Sequence, residues 1–289
     1  MVKRVSRIFT GAAGVLCLLV SQATLAQTPT AVQQDRSVGT SINYVFATDL
    51  GSGVYELDGR ILQIYQLTYE KALREATQDR FGIKLDVPVT VGFFNFKTRD
   101  VLELKLPSRV DSFSVVPGVQ LDYLLPGDWH LQPYVRAGFS VASSSVDGWL
   151  YGTGLRVERQ SEVGGWTRLE RAELAIAGVD YRQDVPSDRF VRLRQGLDFT
   201  RPIGWRFGDS HVVELGLYGI FDLVIDSPDV PVAGTNVRAG GQSIQAEFGF
   251  TFATRPRYKI WHFNMPRLGF GYRLAGDLSA WRFVIGEPF

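Results

Sequence analysis

FGIKLDVPVTVGF, residues 81–93, alternates without a break. Phe81, Ile83, Leu85, Val87, Val89, Val91 and Phe93 fall on one face, and Gly82, Lys84, Asp86, Pro88, Thr90 and Gly92 on the other. A period of two means extended strand, because successive side chains point to opposite sides of a sheet. Which side meets water decides the fold. A soluble barrel or sandwich turns the apolar face inward, whereas a membrane barrel turns it outward and lines its bore with the polar face.

The pattern recurs along the chain. Phe113, Val115, Pro117, Val119, Leu121 and Tyr123 alternate with Ser112, Ser114, Gly118, Gln120 and Asp122. After Leu125-Pro126-Gly127-Asp128 come Leu131, Pro133, Val135, Ala137, Phe139 and Val141, then Val213 to Leu223, Ile244 to Phe252 and Leu268 to Leu274. Less regular strand candidates lie at 41–47, 59–69, 149–158, 168–181, 190–200 and 279–288, with apolar residues on both faces of 59–69 and 168–181. The total is twelve, an even number of the length a tilted bilayer crossing needs; ten strands is the alternative if 41–47 or 59–69 fails. Pro88, Pro117 and Pro133 remove ladder donors inside strands and suggest bulges. Glu70 to Asp79 has helical composition and suggests one short helix in a long turn.

The polar face carries charge in the strand interiors: Lys84, Asp86, Asp122, Arg136, Arg156, Glu158, Arg192, Arg194, Asp198, Glu214, Asp222, Glu247, Arg267, Arg273 and Arg282. Glycines 216, 249, 269 and 271 share that face. Glycine weakens exposed strand surface and gains nothing there, but inside a lumen it makes room for long neighbours. No helices are evident to cover the apolar face. The reading is therefore all-β, a transmembrane antiparallel barrel with the 81–93 apolar face toward lipid and the charged residues lining the lumen.

The ends agree. Lys3, Arg4 and Arg7, the apolar run Ile8 to Val20 and Thr24-Leu25-Ala26 have the form of an export signal over 1–26, too short for a membrane helix. Its cleavage would remove Cys17, the only cysteine of the 289 residues, so no disulfide, thiol nucleophile or cysteine metal ligand is expected. The formal charge of +1 and the absence of a basic stripe argue against nucleic acid. The last strand puts Trp281, Phe283 and Ile285 on one face, and Phe289 follows. A phenylalanine ending an alternating aromatic strand resembles the signal read by the barrel assembly machinery of Gram-negative outer membranes.

With twelve strands and both chain ends of the barrel in the periplasm, the short turn at 125–128 is periplasmic, and 97–109 and 226–243 become the long outer loops. Trp129, Trp166, Trp205 and Trp261 then mark the periplasmic interface and Trp149 and Trp281 the outer one. The signal, a short segment over 27–40 that is a candidate lumen plug, a barrel over 41–289 and the ending VIGEPF together resemble the solitary autotransporter-type β-barrel domains of the outer membrane. That resemblance implies a translocator-like barrel without a large passenger and without a defined activity. It carries no site residues with it.

Function follows as a narrow channel or structural barrel in contact with outer-membrane lipid and lipopolysaccharide. Eight cations against seven anions in the lumen should pair rather than select one ion sign. Lys97, Arg99, Lys105 and Arg109 around the first long loop are candidate contacts for lipopolysaccharide phosphates. The enzyme alternative, acting on lipid or peptide, would need a histidine base, and His130, His211 and His262 all fall near periplasmic turns. No G-x-S-x-G elbow, HExxH or paired-cysteine site is present. Asp226 and Asp229 lack calcium-loop spacing, and no cofactor or metal is expected. The remaining alternative is a soluble periplasmic ligand-binding barrel.

Overall fold

A computed structural model of the chain describes residues 51–57, 60–96, 112–142, 147–182, 187–208, 210–226, 244–260, 263–275 and 278–289. Among them there is no helix. Twelve strands form one antiparallel ring, each paired with its chain neighbours. They are β1 (Gly53–Leu57), β2 (Arg60–Arg74), β3 (Gly82–Phe96), β4 (in two halves, Ser112–Val115 and Gly118–Leu125), β5 (Trp129–Ala142) and β6 (Gly148–Val163). β7 (Trp166–Tyr181), β8 (Asp188–Phe207), β9 (His211–Asp226), β10 (Ile244–Arg255), β11 (Leu268–Ala275) and β12 (Leu278–Ile285) complete it. The last strand closes on the first, with Val54 opposite Trp281 and Tyr55 opposite Ala280. A small ribbon, Lys259–Ile260 with Phe263–Asn264, sits in the β10–β11 connection. A closed ring leaves no strand edge unpaired.

The stretch 81–93 settles the direction of the inversion. In β3 the polar row is the buried one: Asp86 is 2% and Thr90 4% exposed, while Phe81 on the apolar row is 37% exposed. The same holds around the ring. Val135, Leu217, Phe248, Phe250, Phe270, Phe283 and Trp281 stand exposed outside, and Asp198, Asp222, Glu247, Arg273 and Arg282 are buried inside. A single sheet closed on itself has only one interior, so the buried face is the bore.

Three expectations change. The segment 41–47 lies outside the described residues, and the ring closes on twelve strands with Gly53–Leu57 as its first, so the ten-strand alternative falls away. Glu70 to Asp79 is no helix: β2 runs on to Arg74, with Glu70 opposite Asp86, and a tight turn follows that bridges Thr77 and Arg80. Ten residues are below the length at which a helix holds by itself, and the ladder bonds win. The prolines make no bulge. Val89 pairs with Val115 and Asp86 with Gly118 in one continuous register across Pro88 and Pro117. Each proline loses its donor but keeps its acceptor, taking bonds from Val116 N (3.1 Å, to Pro88 O) and Ala137 N (3.0 Å, to Pro117 O). Opposite Pro133 the pairing lapses between Gln120–Tyr134 and Tyr123–Leu131 without a shift.

The two ends of the barrel differ. At one end lie short turns, with left-handed Gly127 and Asp128, Gly164 and Gly165, and Gly208. Trp129, Trp166 and Trp205 are near that end. At the other, where Trp149 and Trp281 face outward, the connections 97–111 and 227–243 lie outside the described residues, as does Trp261.

Candidate functional site: the bore

The alternation of every strand delivers its polar row to one enclosed space, so charges far apart in sequence meet there. The fifteen charged residues of the polar rows each lie beside an opposite charge or a histidine. Toward the short-turn end Lys84 pairs with Glu70 (2.6 Å) and His130 Nδ1 with Asp122 (2.9 Å), and Arg136, midway along β5, pairs with Asp86 (2.8 Å). Arg171 bonds Glu158 (2.8 Å), and Arg255 bonds Glu214 (2.8 Å). Arg267 grips Asp198 with both terminal nitrogens, at 2.5 and 2.9 Å, and its Nε donates to Thr251 Oγ1 at 3.1 Å.

Two centres organise the middle of the bore. Glu173 takes bonds from Arg156 (2.9 Å), Arg192 (3.0 Å) and the Tyr134 hydroxyl (3.0 Å). Glu247 takes them from Arg273 Nε (2.8 Å), Arg282 Nη1 (3.0 Å) and the Tyr218 hydroxyl (2.8 Å). Asp222 lies between them, held by Arg194 at 2.6 and 2.9 Å. Both tyrosines lie over a glycine directly opposite in register: Tyr134 faces Gly154, and Tyr218 faces Gly249. A Cβ at either glycine would come within 2.5 Å of the tyrosine ring and hydroxyl. The glycine thus lets an aromatic ring lie flat across the wall and aim its hydroxyl at the carboxylate. Gly216 does the same for Arg267, whose guanidinium and the Thr251 hydroxyl occupy the place of a side chain.

Sequence reasoning missed Arg171, Glu173, Glu70, Arg255 and the two tyrosines as members of this network. Arg171 and Glu173 sit on β7, where apolar residues on both faces obscure the phase. The structure explains the mixture: Leu169, Ala175 and Val179 share the inward row with them. Val179 belongs to an apolar cluster with Val116, Leu150, Phe190 and Val224. Val116 lies between the two halves of β4, and the others come from β6, β7, β8 and β9, so the cluster lies toward the long-loop end of the bore. A cavity of about 160 Å³ remains near the short-turn end, bounded by Asp198, Glu214, Thr251, Arg257, Arg267 and Glu287 among others.

Phe289 does not continue the outward row of Trp281, Phe283 and Ile285. At Gly286 the backbone turns left-handed (φ 97°), and the ring lies inside the bore against Gly196, Tyr218, Ile220 and Val284. Of the histidines, His130 faces the mouth beside Asp122, and His211 opens β9 with Ser210 Oγ at 3.1 Å. His262, Asp229 and Lys97, Arg99, Lys105 and Arg109 lie outside the described residues. Among the described residues no cluster of three or more His, Cys, Asp or Glu is placed to hold a metal ion.

A solved structure shares this architecture. The β-domain of the Bordetella autotransporter BrkA superposes with a TM-score of 0.52, over 80% of this chain and 93% of that one, at 13% identity. The fold is that of an autotransporter β-domain. No family model and no curated protein matches the sequence. At such low identity the likeness is one of fold alone, and the charge network above is described for this chain only.

Proposed function

We propose that this chain is an integral outer-membrane barrel of translocator type that serves as a narrow or structural barrel, not as an enzyme and not as a wide pore. One observation carries the reading: the apolar face is outside, and the ions inside are spent on one another. An open selective pore would present unpaired charge of one sign to passing solute. Here Glu173, Glu247, Asp222 and Asp198 each engage arginines. An outward apolar surface with aromatic residues near both ends suits a bilayer, and the BrkA likeness favours the outer membrane.

Export through residues 1–26, assembly guided by Phe289, and contacts of Lys97, Arg99, Lys105 and Arg109 with lipopolysaccharide phosphate belong to the same proposal. Phe289 can serve assembly while the polypeptide is still unfolded and later lie in the bore. The absence of catalysis is supported by where the histidines stand: His130 is tied to Asp122 at the bore mouth, and His211 opens β9 at the short-turn end with its ring against Tyr258. Membrane fractionation and heat-modifiable gel migration test the location and class. A protein recovered as a compact, detergent-free monomer would overturn the proposal. Fluorogenic ester and peptide assays with His130→Ala, His211→Ala and His262→Ala test the rest, and hydrolysis abolished by one of these changes would establish an enzyme.

A further inference from the structure

The segment after the last strand is the one piece of described chain that enters the bore without belonging to its wall. Ile285 still pairs with Leu268 and faces outward. At Gly286 the chain turns inward, its N–H donating to Arg267 O at 2.9 Å. The next three residues cross the bore. Glu287 accepts from Arg171 Nη2 at 3.0 Å, Pro288 O accepts from Arg282 Nη2 at 2.6 Å, and Phe289 O accepts from Arg171 Nη1. The Arg171 guanidinium also lies 5.3 Å from the centre of the Phe289 ring. Arg171 is on β7, close to opposite β12 in a ring of twelve, while Gly196 on β8 and Tyr218 on β9 line the wall between. The segment is a strut from one wall to the other.

We propose that this part of the bore is a binding seat for the chain's own segment Gly286–Phe289, which stoppers the short-turn half of the lumen. The seat has a built character. Gly196 leaves the space the ring fills, since a Cβ there would stand 2.7 Å from the Phe289 ring. Ile220, Val284 and the Tyr218 ring give the phenyl group an apolar bed within an otherwise ionic lumen. Two arginines supply donors to main-chain oxygens, which recognise the path of the segment rather than one side chain. Pro288, fully buried, fixes the backbone between them. Glu287 remains largely open to the cavity at the short-turn end, so a void lies beside the stopper. The inference rests on the narrow-barrel reading and deepens it by naming what narrows that half.

The test uses the chain with Cys17→Ala refolded in detergent, so that introduced cysteines are alone and the assembly machinery is not needed. Gly196→Cys with Phe289→Cys should cross-link in the folded barrel under mild oxidation, because the two side chains share one seat; no cross-link in heat-modifiable, folded protein overturns the proposal. Ile220→Cys, which lies against the segment, should react slowly with a charged, membrane-impermeant thiol reagent. Removing 286–289 or changing Phe289→Ala should speed that reaction at least tenfold, and equal rates would overturn the stopper even if the cross-link forms. Gly196→Leu, which fills the seat while leaving residues 286–289 intact, should speed it as well. If the parent protein itself lacks heat-modifiable migration, the barrel reading has failed instead, and the two failures are distinguishable.

Discussion

At the scale of single residues, Glu247 shows how the bore is held. It is 1% exposed and binds two arginines and a tyrosine. A charge removed from water loses several kcal/mol of hydration, and partners must return it. Glu247→Ala should therefore cost about 3–5 kcal/mol, the loss typical when one side of a buried ion pair is removed. The midpoint of urea unfolding in lipid vesicles would measure it. Glu247→Gln, which keeps an acceptor, should cost less. The outward face gives the opposite expectation. Phe250 sits mid-strand on β10, packed edge-on to Phe252 (5.7 Å) and beside Phe270 (6.1 Å). Phe250→Arg should destabilise by about 2–4 kcal/mol if that face meets the hydrocarbon midplane. In a soluble barrel an exposed arginine would cost almost nothing, so the same unfolding experiment separates the two worlds.

At the scale of elements, most of the ring was legible because a half-buried strand writes its orientation into every second residue. β3, β5, β9, β10 and β11 could be read from alternation alone. β7 could not, because its inward row mixes Arg171 and Glu173 with Leu169, Ala175 and Val179, and hydropathy cannot tell a greasy bore residue from a lipid-facing one. A second signal was present in the turn. Gly164-Gly165, both left-handed, join β6 to β7 as a two-residue hairpin, which sets Val163 opposite Trp166. That register puts Arg156 against Glu173 and Glu158 against Arg171. Two opposite-charge pairs on one face identify the phase, where composition does not. The first described strand was not read for a related reason: Gly53–Leu57 is too short to show a period. The tyrosine–glycine pairs belong to this scale too, since they exist only once strands are in register. Gly249→Val should push the Tyr218 ring off the wall and break its bond to Glu247, lowering stability, whereas Gly219→Val, whose Cβ would meet nothing closer than 3.4 Å and so be in ordinary contact, should be nearly neutral. Thermal shifts of heat-modifiable migration compare the two.

At the scale of the whole molecule, the bore is obstructed twice. Toward the long-loop end the apolar cluster of Val116, Leu150, Val179, Phe190 and Val224 narrows it, and water gains no hydrogen bonds by entering. Toward the short-turn end lies the Gly286–Phe289 segment, with the paired ions between. Obstructions in series behave as resistances in series, so relieving one leaves the other limiting. Planar-bilayer recordings of four proteins would test this: the unchanged chain, Phe190→Ala, a chain lacking 286–289, and the two changes combined. The first three should conduct feebly, and the combination should conduct far more than the sum of the single changes. Its cation-to-anion permeability ratio should stay near one, because the lumen charges left behind remain nearly balanced in sign. A single change that opens the barrel fully would place the entire barrier at that one level, and a strongly selective open state would mean that the arginines and carboxylates do not neutralise one another along the path.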